Sequence, residues 1–88
     1  MALLDLLGRR MTLRILWELS RADEPLTFRA LQAAADTNPT VLNARAKELR
    51  AAGLVTRDES GYCLTQAGGE LIALLLPLHA WAESKVQR

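Results

Sequence analysis

Eighty-eight residues are expected to supply one hydrophobic core and no separate effector-binding domain. Half of them are apolar, but Trp17, Phe28, Tyr62 and Trp81 are the only aromatic ones, so the core is expected to be aliphatic. A net charge of +1 excludes a protein that holds nucleic acid by overall basicity, and leaves the placement of charge to argue for such a partner.

That placement is uneven. Between Thr27 and Arg57 the chain carries Arg29, Arg45, Lys47, Arg50 and Arg57 against Asp36 and Glu48, so the middle is basic and the ends compensate. With Cys63 alone, no disulfide framework or multi-cysteine metal site can form, which suits a reducing cytoplasm. The start of the chain lacks the basic residues, long apolar run and cleavage site of a secretory signal. The longest apolar stretch, Leu71 to Leu78, contains Pro77 and is far too short for a bilayer. A soluble cytoplasmic protein with no membrane partner is expected.

Along the chain, Leu13, Ile15, Leu16 and Leu19 predict an amphipathic helix over 11–20, ending before Pro25. Leu26 to Phe28 reads as a small strand or extended lead into a short alanine-rich helix over 28–35, anchored by Leu31. Asp36-Thr37-Asn38-Pro39 is the clearest punctuation. Asn38 can accept a bond from a free first-turn amide, and Pro39 has a helical φ where no donor is needed. The helix that starts there runs through Val41, Leu42, Ala46 and Leu49 to a left-handed cap at Gly53. Two β-prone runs, 54–58 and 62–65, flank Glu59-Ser60-Gly61 and predict a hairpin. Thr65 can cap a last helix over 66–86, which is apolar nearly all round and carries Pro77. The order is helix, short strand, helix, tight turn, helix, hairpin, long helix. The fold class is therefore mainly α with a small β hairpin: a winged helix-turn-helix with N- and C-terminal helical extensions, one domain over 1–88.

At about 100° per residue, Leu42, Ala46 and Leu49 fall on one side of the Pro39 helix, while Thr40, Asn43, Ala44 and Lys47 fall on the other. The outer set suits a major groove: Thr and Asn bond base edges, Lys reaches guanine or phosphate, and Ala44 admits a thymine methyl. Arg45 and Arg50 lie on the flanks, where each can meet phosphate or an acid such as Glu48, and Arg29 can touch the DNA backbone. Asn38, at the helix start, completes the expected DNA-binding set with Arg57 at the base of the hairpin. Residue by residue, such groups also suit a solvated helix face. The element order is what points to DNA.

The segments GRRMTLRILWELS from Gly8, LTFRALQ from Leu26, NPTVLNARAKELRAAGLVTR from Asn38 and YCLTQAGGEL from Tyr62 resemble the HxlR-type family of winged helix-turn-helix transcription regulators, over nearly the entire chain. The resemblance implies a homodimer on an operator with twofold symmetry, each protomer inserting one recognition helix. Three departures stand out. Gly8-Arg9-Arg10-Met11-Thr12 keeps the family's Gly-Gly-Lys-Trp-Thr-like pattern only in part. The usual longer, basic wing is replaced by a short acidic tip of Asp58, Glu59 and Ser60, which makes this a short-wing variant with Arg57 as its remaining candidate for DNA contact. Some members sense electrophiles through a cysteine near the N-terminus; no cysteine stands there, so that mechanism does not carry over.

In the last helix, Leu71, Leu74, Leu75, Leu78 and Trp81 form one stripe, expected to face the core, and Ile72, Leu76 and His79 form a second that the same small core can hardly cover. Leu3, Leu4, Leu6 and Leu7 are likewise unclaimed. Pairing of the terminal segments, about 1–10 and 66–88, across a twofold axis would bury both sets, with Leu3, Leu4, Leu7, Ile72, Leu76 and His79 at the interface. The alternative is that the N-terminal segment folds over the last helix within one chain.

Cys63 reads as a packing residue rather than a sensor, and His79 has no second ligand beside it for a metal. Gly68-Gly69 lacks the strand and lysine of a phosphate loop and reads as close packing. No catalytic constellation is visible, so neither an enzyme nor a cofactor is expected. Two functions follow: a sequence-specific regulator, with small size favouring a repressor, or a winged-helix protein-interaction module, to which the acidic wing tip and modest charge are suited.

Overall fold

The computed structural model describes residues 2–85. Its elements are α1 (Ala2–Leu7), α2 (Thr12–Arg21), α3 (Phe28–Ala35), α4 (Pro39–Ala51), β1 (Val55–Asp58), β2 (Gly61–Leu64) and α5 (Gln66–Lys85). The predicted winged helix-turn-helix order is present throughout. The end of the last predicted helix, at Val86, lies outside the described residues.

Helix α2 is the central support, packing against α1, α3, β2 and α5. Ile15, Leu16 and Leu19 are buried as their spacing predicts, but Leu13 is exposed, because the buried side of α2 is completed by Thr12 instead. Around them close Leu31 and Ala35 of α3, Leu42, Ala46 and Leu49 of α4, and Leu54, Val55 and Tyr62 of the wing. The predicted small strand over 26–28 shrinks to a single bridge, in which Leu26 and Tyr62 exchange backbone bonds of 2.9 and 2.7 Å. Thr27 then caps α3, its Oγ1 accepting from the Ala30 amide at 3.1 Å.

The turn into α4 is built as the punctuation suggests. Asp36 ends α3 at φ 55, and Asn38 Oδ1 accepts from the Val41 amide at 2.9 Å, with Pro39 in the first helical turn. At the other end of α4, Gly53 takes φ 78. Its amide donates to the Arg50 carbonyl and the Leu54 amide to that of Leu49, both at 3.0 Å. This paired pattern stops the helix and turns Leu54 inward.

The hairpin pairs Val55 with Leu64 and Asp58 with Gly61, antiparallel, around a tip of Glu59 and Ser60. Thr65 Oγ1 then accepts from the Gly68 amide at 3.0 Å and donates to the Gly53 carbonyl at 2.6 Å, which fastens the start of α5 to the end of α4.

The rotation of α5 corrects the expected stripes. Gly68 and Ile72 are buried and Leu75 is half-buried, whereas Leu74, Leu78 and Trp81, expected inward, are 73%, 57% and 56% exposed. The cause is Gly68. A Cβ there would stand 2.1 Å from the Leu54 carbonyl oxygen, so only glycine lets α5 approach the wing on this side. Ile72, four residues on, is drawn into the protomer's core and withdrawn from the set expected to be uncovered. Gly69, read as a second close-packing residue, has nothing within 4 Å of its would-be Cβ. In α1, Leu6 is buried and Leu7 half-buried against the core, while Leu3 and Leu4 are exposed.

Candidate nucleic-acid interface

Burial of Leu42, Ala46 and Leu49 decides which way α4 faces. Its outer arc presents Thr40, Asn43, Lys47 and Arg50, all exposed, with Ala44 half-buried at the edge. Among the described residues neither Lys47 nor Arg50 has an ion-pair partner, and the same holds for the exposed Arg29 at the start of α3. Asn38 is exposed, but its side-chain oxygen is committed to the cap of α4, which leaves its amide group outward. Pro39 supplies no amide hydrogen at the start of α4 and the Val41 amide is taken by Asn38, so the positive charge of this face rests on Lys47 and Arg50.

Arg45 departs from this group. Its Nε lies 2.8 Å from Glu48 Oε1 and its Nη2 donates to Glu48 Oε2 at 3.4 Å, with the side chain 16% exposed. Of the two roles open to it, phosphate contact or pairing with Glu48, the structure has it in the second. Arg9, from the turn between α1 and α2, approaches the same carboxylate at 3.9 Å. Sequence reasoning found no role for Arg9, and no local spacing joins residues so far apart.

The position of α4 depends also on Arg14. Its Nε donates to Glu18 at 2.8 Å, an i,i+4 pair legible in the sequence, and its Nη2 donates to the Ala34 carbonyl at 3.0 Å. That second bond ties α2 to the last turn of α3, directly before the turn into α4.

In the wing, Arg57 is exposed, with its guanidinium 5.5 Å above the ring centre of its cross-strand partner Tyr62. The stack lays the cation across the hairpin onto β2; at the tip, Asp58 Oδ1 accepts from the Ser60 amide at 2.7 Å. Cys63 is half-buried opposite Thr56.

A second surface lies on the far side of α2. A groove of about 500 Å³ between α2 and α5 is lined by Leu13, Trp17, Leu75, Leu76 and Leu78, and His79 is at its edge with its ring 5.9 Å from that of Trp17. Leu76, at 42% exposed, remains uncovered as expected. His79 is exposed but shares the side of α5 that faces α2. Among the described residues no cluster of His, Cys, Asp or Glu is gathered that could hold a metal ion, and no helix is long and apolar enough to cross a membrane.

Comparison with known proteins agrees with this arrangement. A family model for the HxlR-like helix-turn-helix matches residues 6–88. Among solved structures, a possible HxlR family transcriptional factor from Thermoplasma volcanium GSS1 superposes with a TM-score of 0.84 at 28% identity, over 92% of this chain and 78% of that one. Quinone-bound YodB from B. subtilis gives 0.85 at 30% identity, over 94% and 93%. Diamide-treated YodB gives 0.70 at 26% identity, over 99% and 92%. A search of curated proteins finds no match.

Proposed function

The chain belongs to the HxlR-like helix-turn-helix family of DNA-binding transcription regulators, and from that premise we propose that it is a cytoplasmic, homodimeric repressor that inserts α4 into the major groove of a twofold-symmetric operator. The observation that carries this reading is the outer arc of α4, where Thr40, Asn43 and Lys47 stand exposed on a helix whose opposite side is locked in the core. Asn43 and Thr40 bond base edges, Lys47 reads guanine or phosphate, and Arg50, Arg29 and the Asn38 end of the helix meet the backbone. Arg57 supplies what contact the short acidic wing makes.

The whole chain acts as one winged-helix unit with its two ends serving dimerisation. Leu3 and Leu4 at one end and Leu74, Leu76, Leu78 and Trp81 at the other are exposed. A second copy would bury this apolar surface. Leu7 and Ile72, half-buried and buried within the protomer, support that surface from beneath, and His79 with Trp17 borders it. A repressor needs no activation surface beyond this, since occupying the operator excludes polymerase.

The test is selection of bound genomic fragments, footprinting of the tightest, and titration of that duplex at several salt concentrations. Symmetric half-sites and a steep loss of affinity with salt are expected. A protein that binds no duplex even at low salt would be an interaction module instead. In sedimentation, Leu76→Glu should give monomer or insoluble protein; a folded dimer of that variant would remove Leu76 from the interface.

A further inference from the structure

We propose that Arg45 is a positioning residue that makes no DNA contact: with Glu48, and with Arg9 reaching across from the α1–α2 turn, it forms a clamp that holds the roll of the reading helix. The proposal rests on the DNA reading of α4 and deepens it.

Three observations carry it. At about 100° per residue, Arg45 stands roughly 160° around α4 from both Asn43 and Lys47, so it points toward the protein when they point toward DNA. Its side chain is 16% exposed, and Arg45 Nε and Glu48 Oε1 are both closed off from solvent with no hydrogen-bond partner beyond their mutual approach at 2.8 Å. Removing either group therefore strands a buried polar atom, which drives the flank of α4 to rearrange. Glu48 Oε2 also faces Arg9 Nη1 at 3.9 Å. Arg9 is itself fixed in a tight turn, with its amide on the Leu6 carbonyl at 3.1 Å and its carbonyl accepting from Thr12 at 3.2 Å. The clamp thus joins the reading helix to the turn between α1 and α2, far from it in the chain.

A clamp and a charge effect predict opposite results for Glu48→Gln, and different salt dependence for Arg45→Met. Glu48→Gln removes a negative charge beside DNA, so simple electrostatics would tighten binding; Arg45→Met removes a positive one and would weaken it. If the pair positions α4, both variants weaken binding to the selected duplex, by roughly fivefold. Neither changes the slope of log affinity against log salt, whereas Lys47→Ala lowers that slope by about 0.9 per protomer as a phosphate contact is lost. Thermal melts by circular dichroism establish that the variants are folded at the assay temperature. Arg9→Gln, at a side chain 53% exposed, leaves the fold intact and shifts affinity in the same direction by roughly twofold.

Arg45→Met with a slope lowered by about 0.9 per protomer would make Arg45 a phosphate contact and overturn the proposal. So would Glu48→Gln binding as tightly as the unaltered protein, or more tightly. Failure of the unaltered protein to bind any duplex would instead defeat the DNA reading, and is told apart because it precedes every substitution.

Discussion

Helix α4 buries Leu42, Ala46 and Leu49 at the spacing of a single helical face, whereas the more leucine-rich α5 buries only Gly68 and Ile72 among its described residues. In α4, polar residues on one side leave the apolar residues a single orientation. In α5, apolar residues run nearly all round, so hydrophobicity does not choose a face, and the choice passes to the one position where a side chain cannot fit. A helix with a poor apolar face can thus be placed from its pattern, while a helix rich in apolar residues is placed by its steric exception.

The sharpest way to break this comparison is to fill that exception. Leu42→Ala, in the face that the pattern does choose, sets the scale: it should cost about 3 kcal/mol in denaturant unfolding, because Leu42 is fully buried. Gly68→Ala adds a single methyl group and yet should cost about 2–3 kcal/mol, since the obstructing atom is the Leu54 carbonyl rather than a movable side chain. If Gly68→Ala were neutral, the rotation of α5 would have another origin. Asn38→Ala removes the acceptor for the Val41 amide and should lower stability by about 1 kcal/mol. The smallest effect has the opposite sign. Gly69→Ala meets open space in a helix and should raise the unfolding midpoint by a gain of roughly 0.5–1 kcal/mol, so that neighbouring glycines respond in opposite directions.

The two ends of the molecule differ in the same way for function. The candidate DNA-facing arc was legible because α4 begins at a recognisable cap and keeps one periodicity, so that Thr40, Asn43 and Lys47 can be placed outward from their numbers alone. Arg45 shows where such reasoning stops. Its spacing from Glu48 was visible, but the choice between an acid and a phosphate depended on burial. Arg9 was not found at all, because its approach to Glu48 depends on how α1 and α4 are brought together. Leu13 was assigned inward by spacing and lies exposed, because Thr12 takes the covered side of α2.

By itself the sequence determined the order of elements, both ends of α4, the wing and its acidic tip, and the family resemblance. These are local matters, decided by caps, turns and periodicity within about a dozen neighbouring residues. Tertiary structure alone decided which leucines of α5 meet the core, that Ile72 belongs to the protomer's interior, and that Arg9 reaches the Glu48 carboxylate that Arg45 faces. Each of those depends on an approach between segments distant in the chain, where a carbonyl oxygen or a buried carboxylate, rather than hydrophobicity, sets the geometry.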